Sequence, residues 1–554
     1  MPRPDGVLPI SVFSIPAHAI SLMQLLHLLP LGNPWLCLTS KDKSPGDFNI
    51  FLESTFLSRP ASRNTQALNI RLNFPNMSTA LPFQTWFLED DGTSVRPLDT
   101  IETFFKLLAD SGAPINREHW AITVALRLKI PESVKEVRSV LGRTWLTLVR
   151  LHPNLAGRAH MSDAENLPSQ ILSVSPLNED TWLAQTFVPH ENIPDSTTLF
   201  TSLRPSPTAT CHWIPASQEL CISSSHWRID GIGMLMLANS FMNNLVEILR
   251  HDRNNPTIQG PLTPSLDSIV GSFLDEETTP MYLRSTADAL VADFVKGVPS
   301  IGLPNITGSL TATPGPTERQ ACKFDINTTK SVVSACKKRG LSVPSVVHAA
   351  LIRVTATYPQ HPLAKSYAAF FPTDLRPYLS SPYNGEAFAV GMFCSGLPVT
   401  VPNVLGLSFD NIAEVLNTVY RRDLTRMCTD DEGKPQGMLD LMVPYVRRTT
   451  KLFNTPPPSD LPPVENPDLS SFGKVEKYVQ HEYVFGQDSE DKIDVDGFWI
   501  GTETLAQSLQ CHVWTFREEL TIQGCFNTSF YDREFVHEIL QKVQAELLEG
   551  LGAQ

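Results

Sequence analysis

The chain has 554 residues, more than one hydrophobic core usually supports, so two large domains are the first expectation. Its formal net charge of -14 excludes an extended phosphate-neutralising face, and with it a nucleic-acid partner, while leaving room for a local basic patch. Nine cysteines without a CxxC pair give neither a zinc pattern nor a disulfide framework and point to a reducing, cytoplasmic setting.

Residues 1-76 show no sustained period. Their apolar run, Ile20 to Leu31, is broken by Gln24, His27 and Pro30, too short to span a bilayer and poorly formed as a signal-peptide core. A poorly structured N-terminal extension without stable membrane insertion is expected there, with Met77 an alternative start. Pro131 to Gly157 reads as an amphipathic helix stopped by Pro153. Leu220, Ile222, Ser224 and His226 then alternate with Cys221, Ser223 and Ser225, the period of a half-buried strand ending at His226. Beyond the Asp230-Gly231 turn, Leu237, Phe241, Leu245 and Ile248 recur at helical spacing from Gly233 to Arg250.

The Pro/Gly/Asn-rich stretch 252-319 reads as a crossover joining a 77-251 domain to a 320-554 domain. In the latter, Ser342 is placed to cap a helix entered through Pro344, and Pro456 to Pro467 reads as a surface loop. Gln510 to Phe516 and Leu520 to Gln523 form a hairpin across Arg517-Glu518-Glu519, and a helix from Asp532, with Phe535, Ile539, Val543 and Leu547 on one face, closes the fold.

Chemistry concentrates at His226. A strand, tight turn and helix mount its imidazole on rigid elements that can still face a cleft. A histidine that is neutral near pH 7 is suited to act as a general base. Alone, His226 and Asp230 could equally be a satisfied core histidine and a turn aspartate. Ser223 to Ser225 read as strand polar groups rather than nucleophiles. The pairs Cys211/His212 and Cys511/His512 cannot chelate as units, because neighbours in a strand point to opposite faces, and no metal is expected.

His226-Trp-Arg-Ile-Asp230-Gly231 resembles the HxxxDG signature of the CoA-dependent acyltransferase superfamily, which spans BAHD, chloramphenicol acetyltransferase-like and condensation-domain proteins. Three further segments fall in family order. Leu148-Val-Arg-Leu-His-Pro-Asn-Leu-Ala-Gly157 resembles the first long helix and its His-Pro-x-Leu turn, Gly340 to Ile352 the helix opening the second half, and Asp374-Leu-Arg376-Pro377 the Asp-Leu-Arg-Pro element. Leu81 to Trp86 and Val95 to Leu98 look like the start of fungal secondary-metabolite O-acetyltransferases.

The resemblance implies an α/β fold of two chloramphenicol acetyltransferase-like sandwich domains with an active-site tunnel at their interface. It implies a monomer that binds no cofactor, takes acyl-CoA (acetyl-CoA above all) as co-substrate, and esterifies a hydroxyl of a small secondary metabolite. His226 is then the general base of a direct, ternary-complex transfer. Asp230 pairs with Arg376 as a structural element, and Gly231 permits close packing or an unusual backbone angle. Ser470, Ser471 and Trp499 are the candidates for oxyanion or substrate contacts.

Two departures matter. The Asp-Phe-Gly-Trp-Gly motif of plant enzymes is only partly echoed by Val495-Asp-Gly-Phe-Trp-Ile-Gly501, and Ser225 stands where condensation domains usually carry a second histidine. An amide-forming, carrier-dependent enzyme and a non-catalytic binding protein on the same scaffold are the alternatives.

Overall fold

The computed structural model describes residues 86-161, 170-251, 259-272, 274-306, 312-455, 458, 461-462, 464-488 and 490-553, together with the backbone of 35-39 and 49-53. The chain divides into two compact units, Met1–Phe83 and Gln84–Gln554. In the first, strands Trp35–Thr39 and Asn49–Glu53 pair antiparallel, Trp35 opposite Glu53, in a stretch for which the sequence predicts little fixed structure. Ile20 to Leu31 lies outside the described residues.

The second unit holds two sheets that flank a cavity, besides a four-stranded sheet of order Phe87–Leu88, Ser94–Pro97, Gln170–Val174, Arg158–Met161 and smaller pairs. A six-stranded sheet has the order Glu482–Val484, Lys492–Thr502, Ile122–Lys129, Glu219–Ser224, Thr210–Ile214, Phe187–Pro189. Its first two strands come from late in the chain, so a C-terminal excursion completes a sheet begun by the N-terminal half. A four-stranded sheet has the order Thr317–Lys323, Glu519–Asn527, Gln510–Phe516, Asp468–Lys474, with its last pair parallel. The antiparallel pair Tyr367–Asp374 and Cys394–Val401 stands beside it.

Local sequence explains these elements. Strand Glu219–Ser224 is central and its Leu220, Cys221 and Ile222 are all buried, so its alternation reflects two covered faces rather than one wet one. The hairpin after Phe516 turns through Arg517 (φ 51°) and Glu518 (φ 61°), the left-handed pair that a two-residue turn needs to match strand twist. The Ser342 hydroxyl accepts from the Ser345 N–H at 3.4 Å and caps helix Val343–Ala356. The predicted helix beyond Asp230 spans Gly231–His251, and the last helix Arg533–Leu551.

Two differences from expectation have physical causes. The Pro131 to Gly157 helix starts only at Val137, after Glu136 takes a left-handed φ of 49°, and a separate 3-10 turn covers Pro153–Ala156. The crossover contains a 16-residue helix, Met281–Lys296, because this stretch holds Ala287, Ala289, Ala292, Leu283 and Leu290 with no proline inside it, Pro280 and Pro299 standing on either side.

Two apolar cores result. One joins Ile122, Leu141, Trp145, Ile222, Leu237 and Phe241 with Trp499 and Ile500. The other joins Phe104, Val347, Leu397 and Tyr445 with Val513 and Leu547. Helix Gly231–His251 is long and apolar enough to cross a membrane by length and composition, but its apolar face is buried in the first core.

Candidate active site

Residues from both cores line one cavity, with an empty volume of about 1260 Å³ including its open mouth. His226, just past the end of strand Glu219–Ser224, lies on its wall. The ring stacks on Phe105 with centroids 4.7 Å apart and planes 27° apart. Burial lowers the imidazole pKa below its ordinary value, with its own main chain and the Asp230 carboxylate acting in the opposite direction. The ring is therefore neutral at pH 7 and has a lone pair to offer. Its Nδ1 is buried without a partner of sound hydrogen-bond geometry among the described residues, yet its own main chain favours a ring proton, and a proton held on Nδ1 leaves the Nε2 lone pair to the cavity.

Four residues on, Asp230 is saturated. Its Oδ1 accepts from Arg376 Nη1 at 2.7 Å and the Gly233 N–H at 2.8 Å, and its Oδ2 from Arg376 Nη1 at 2.8 Å and the Phe393 N–H at 2.8 Å. Arg376 also donates to Asp374 at 3.3 Å and to the Ala389 carbonyl at 3.3 Å. The structure thus brings Asp230 and Arg376 together and ties the first turn of helix Gly231–His251 to the segment after Asp374. Gly231 sits where a Cβ would approach Phe472 Cε1 to 2.5 Å. Close packing across the cavity is what this glycine allows, since its φ lies outside the left-handed region.

Of the oxyanion candidates, Ser470 and Ser471 line the cavity and Trp499 does not. The Trp499 indole N–H donates to Ser196 Oγ at 2.8 Å and its ring lies under the Arg319 guanidinium at 4.6 Å; it belongs to the core beside the cavity. Ser223 shares a 3.0 Å hydrogen bond with Thr123, Ser224 accepts from Arg228 at 3.0 Å and Ser225 donates to Glu118 at 3.1 Å. None of the three lines the cavity.

Four cavity residues have no site role in the sequence reading: Asp374, which it names only within the Asp-Leu-Arg-Pro element, His512, which it names only as half of a pair that cannot chelate, Asp468 and Trp120. Burial, then the like charge of Asp230, pushes the Asp374 carboxyl up to about 6. Burial pushes Asp468 up to about 7. His512 is held down to about 3, by burial first and then by His226 and Arg319. Trp120 adopts φ 66°, strained for a bulky residue, and its indole nitrogen is buried without a partner among the described residues. Polar residues at alternate positions of buried strands, Asp468 and Ser470, Gln510 and His512, were the available signal for two of these.

No protein-family profile matches the chain. It is 30% identical over 479 residues to the acetyltransferase pigO of Monascus ruber, covering 84% of this chain and 98% of pigO. It is 28% identical over 486 residues to lolU1 of Epichloe uncinata, described as a transcription factor of loline biosynthesis cluster 1, covering 84% and 97%. Among solved structures, the TRI3 trichothecene 15-O-acetyltransferase from Fusarium sporotrichioides superposes with a TM-score of 0.69 at 16% identity, over 85% of this chain and 98% of that one. These likenesses define an acyltransferase with a two-domain α/β fold. The chain belongs to the CoA-dependent acyltransferase superfamily, among fungal acetyltransferases of secondary metabolism.

Proposed function

We propose that the chain moves an acyl group, acetyl above all, from acyl-CoA to a hydroxyl of a small secondary metabolite, with His226 as general base. The observation that carries this reading is the neutral, half-buried imidazole on the wall of a cavity shared by the two cores. The acceptor O–H gives its proton to His226 as its oxygen attacks the thioester carbon. The tetrahedral oxyanion collapses, the C–S bond breaks, and the imidazolium returns the proton to the departing thiolate. Asp230 and Arg376 hold the His226 turn and do no proton chemistry.

Direct transfer is supported by the serines next to His226, all hydrogen-bonded away from the cavity. The names of pigO and TRI3 support acetyl transfer, and that of TRI3 an oxygen acceptor. A net charge of -14 does not favour the nucleic-acid role that the name of lolU1 carries.

Two measurements test the mechanism. Initial rates with acetyl-CoA and an acceptor drawn from an alcohol library should give intersecting lines, as a ternary complex requires. The intact mass of the chain incubated with acetyl-CoA alone should stay unchanged. Parallel lines, or a chemically competent acetyl adduct, would overturn direct transfer.

A further inference from the structure

Strands Asp468–Lys474 and Gln510–Phe516 run parallel, with Asp468 opposite Gln510 and Ser470 opposite His512. Alternation sends Leu469, Cys511 and Val513 into the apolar core and the four polar side chains to the cavity wall. Among these, His512 is 4% exposed and its ring lies against Phe472 at 6.0 Å, near parallel. Its Nδ1 is buried without a partner among the described residues. A buried ring without a protein partner on a cavity wall has hydrogen-bonding capacity that the protein itself does not use.

The charge relation between the two cavity histidines limits what His512 can do. A charge on either ring opposes a charge on the other, and burial already holds His512 neutral. In acyl transfer His226 becomes the cation, so His512 must stay uncharged throughout. A neutral imidazole still carries one N–H. Among the described residues no main-chain group favours a ring proton on His512 as one does on His226, and an orphaned N–H is worse tolerated than an orphaned lone pair, so the proton belongs on Nε2.

We propose that His512 is an oxyanion donor, its neutral Nε2–H giving a hydrogen bond to the thioester oxygen as that oxygen takes up negative charge. The inference rests on the acyl-transfer reading of this cavity. A neutral donor stabilises the oxyanion without resisting protonation of His226, which a lysine or arginine at the same place would do.

Thiol release from acetyl-CoA with water as acceptor reads this step without the natural acceptor. His512→Phe keeps an aromatic ring against Phe472 and removes the donor. It is expected to lower kcat by roughly 10²- to 10³-fold, with KM for acetyl-CoA within about threefold. Its unfolding temperature should not fall, since an unpaired polar group has gone. His512→Gln carries an amide N–H to about the place of Nε2 and should recover at least about tenfold over the Phe variant. A Phe variant within about threefold of the unaltered kcat, a loss confined to KM, or equal rates for the Gln and Phe variants would overturn the proposal. If the Phe variant does not fold, Gln is compared with Asn, whose amide falls short of the Nε2 position, and equal rates overturn it. Release lost in His226→Ala but kept in His512→Phe removes this inference alone. An unaltered chain that releases no thiol above the uncatalysed rate removes the acyl-CoA reading and this inference together.

Discussion

Asp230 and Asp468 both line the cavity that holds His226, and they are built in opposite ways. Asp230 receives four hydrogen bonds, two from Arg376 and two from main-chain N–H groups. Among the described residues the main chain of Cys511 is the one group that favours the Asp468 carboxylate, and burial raises its carboxyl to about 7. His512, on the adjoining strand, has no partner at Nδ1 among the described residues. A buried charge whose acceptors are all filled fixes geometry and has little left for a substrate. Polar groups left open on a cavity wall retain hydrogen-bonding capacity for whatever binds there.

The largest expected effect tests the residue between these two regions. His226→Ala should fold and still bind acetyl-CoA, while turnover falls by roughly 10²- to 10⁴-fold. Because burial lowers the His226 pKa, kcat/KM should rise with pH along an acidic limb centred below about 6.5. That limb should be missing from the residual activity of the variant. Near-normal turnover from a folded variant would remove His226 as base.

The saturated region should fail through stability. Asp230→Ala leaves the buried guanidinium to its longer contacts with Asp374 and the Ala389 carbonyl, both 3.3 Å, and also removes the cap on the Gly233 N–H; Arg376→Met removes the charge that balances the carboxylate. Each should cost on the order of 3-5 kcal/mol in urea unfolding. The double variant should lose clearly less than the sum, since either change alone breaks the pair. Additive losses would show that the pair is not a unit.

The open region should respond to pH. Asp468 has a folded-state value of about 7 against an unfolded value near 3.9. Between those values the folded chain binds more protons than the unfolded chain, so stability contributed at this site falls as pH rises through the window. The slope is at most about 1.4 kcal/mol per pH unit. Asp468→Asn cannot ionise and should flatten the stability profile between about pH 4 and 7, and be more stable than the unaltered chain at pH 7. An identical slope in both chains would mean that Asp468 ionises as readily folded as unfolded.

This contrast also explains what could be read from sequence. His226, Asp230, Gly231 and Arg376 belong to short strings whose spacing is fixed by a turn and a helix start, so they are visible without a structure. For Asp468 and His512 the alternation of polar residues marks a polar strand face but not the cavity that strand pairing brings it to, and Trp120 reaches the cavity by a backbone angle that no local pattern encodes. At Cys511-His512 the alternation rule sets aside a chelating pair. The same rule assigns the two side chains to different faces, and only the sheet order shows that one of those faces is the cavity. The late strands Glu482–Val484 and Lys492–Thr502 were hidden for a related reason: joining the N-terminal sheet depends on edges brought together by the fold.

Trp499 supplies the smallest expected effect and separates motif echo from position. It lies in Val495 to Gly501, the segment that partly resembles the plant motif, yet its N–H is committed to Ser196 and it packs between Arg319 and Phe200. Trp499→Phe keeps a ring in that slot and loses one neutral hydrogen bond, a cost of about 1 kcal/mol. Since the side chain does not line the cavity, kcat should stay within about twofold and KM for acetyl-CoA should hold. A drop of tenfold or more in kcat, with unfolding little changed, would mean that the indole turns toward the reacting oxygen during catalysis. It would also mean that the division between saturated and open groups does not sort structural residues from those that meet the substrate.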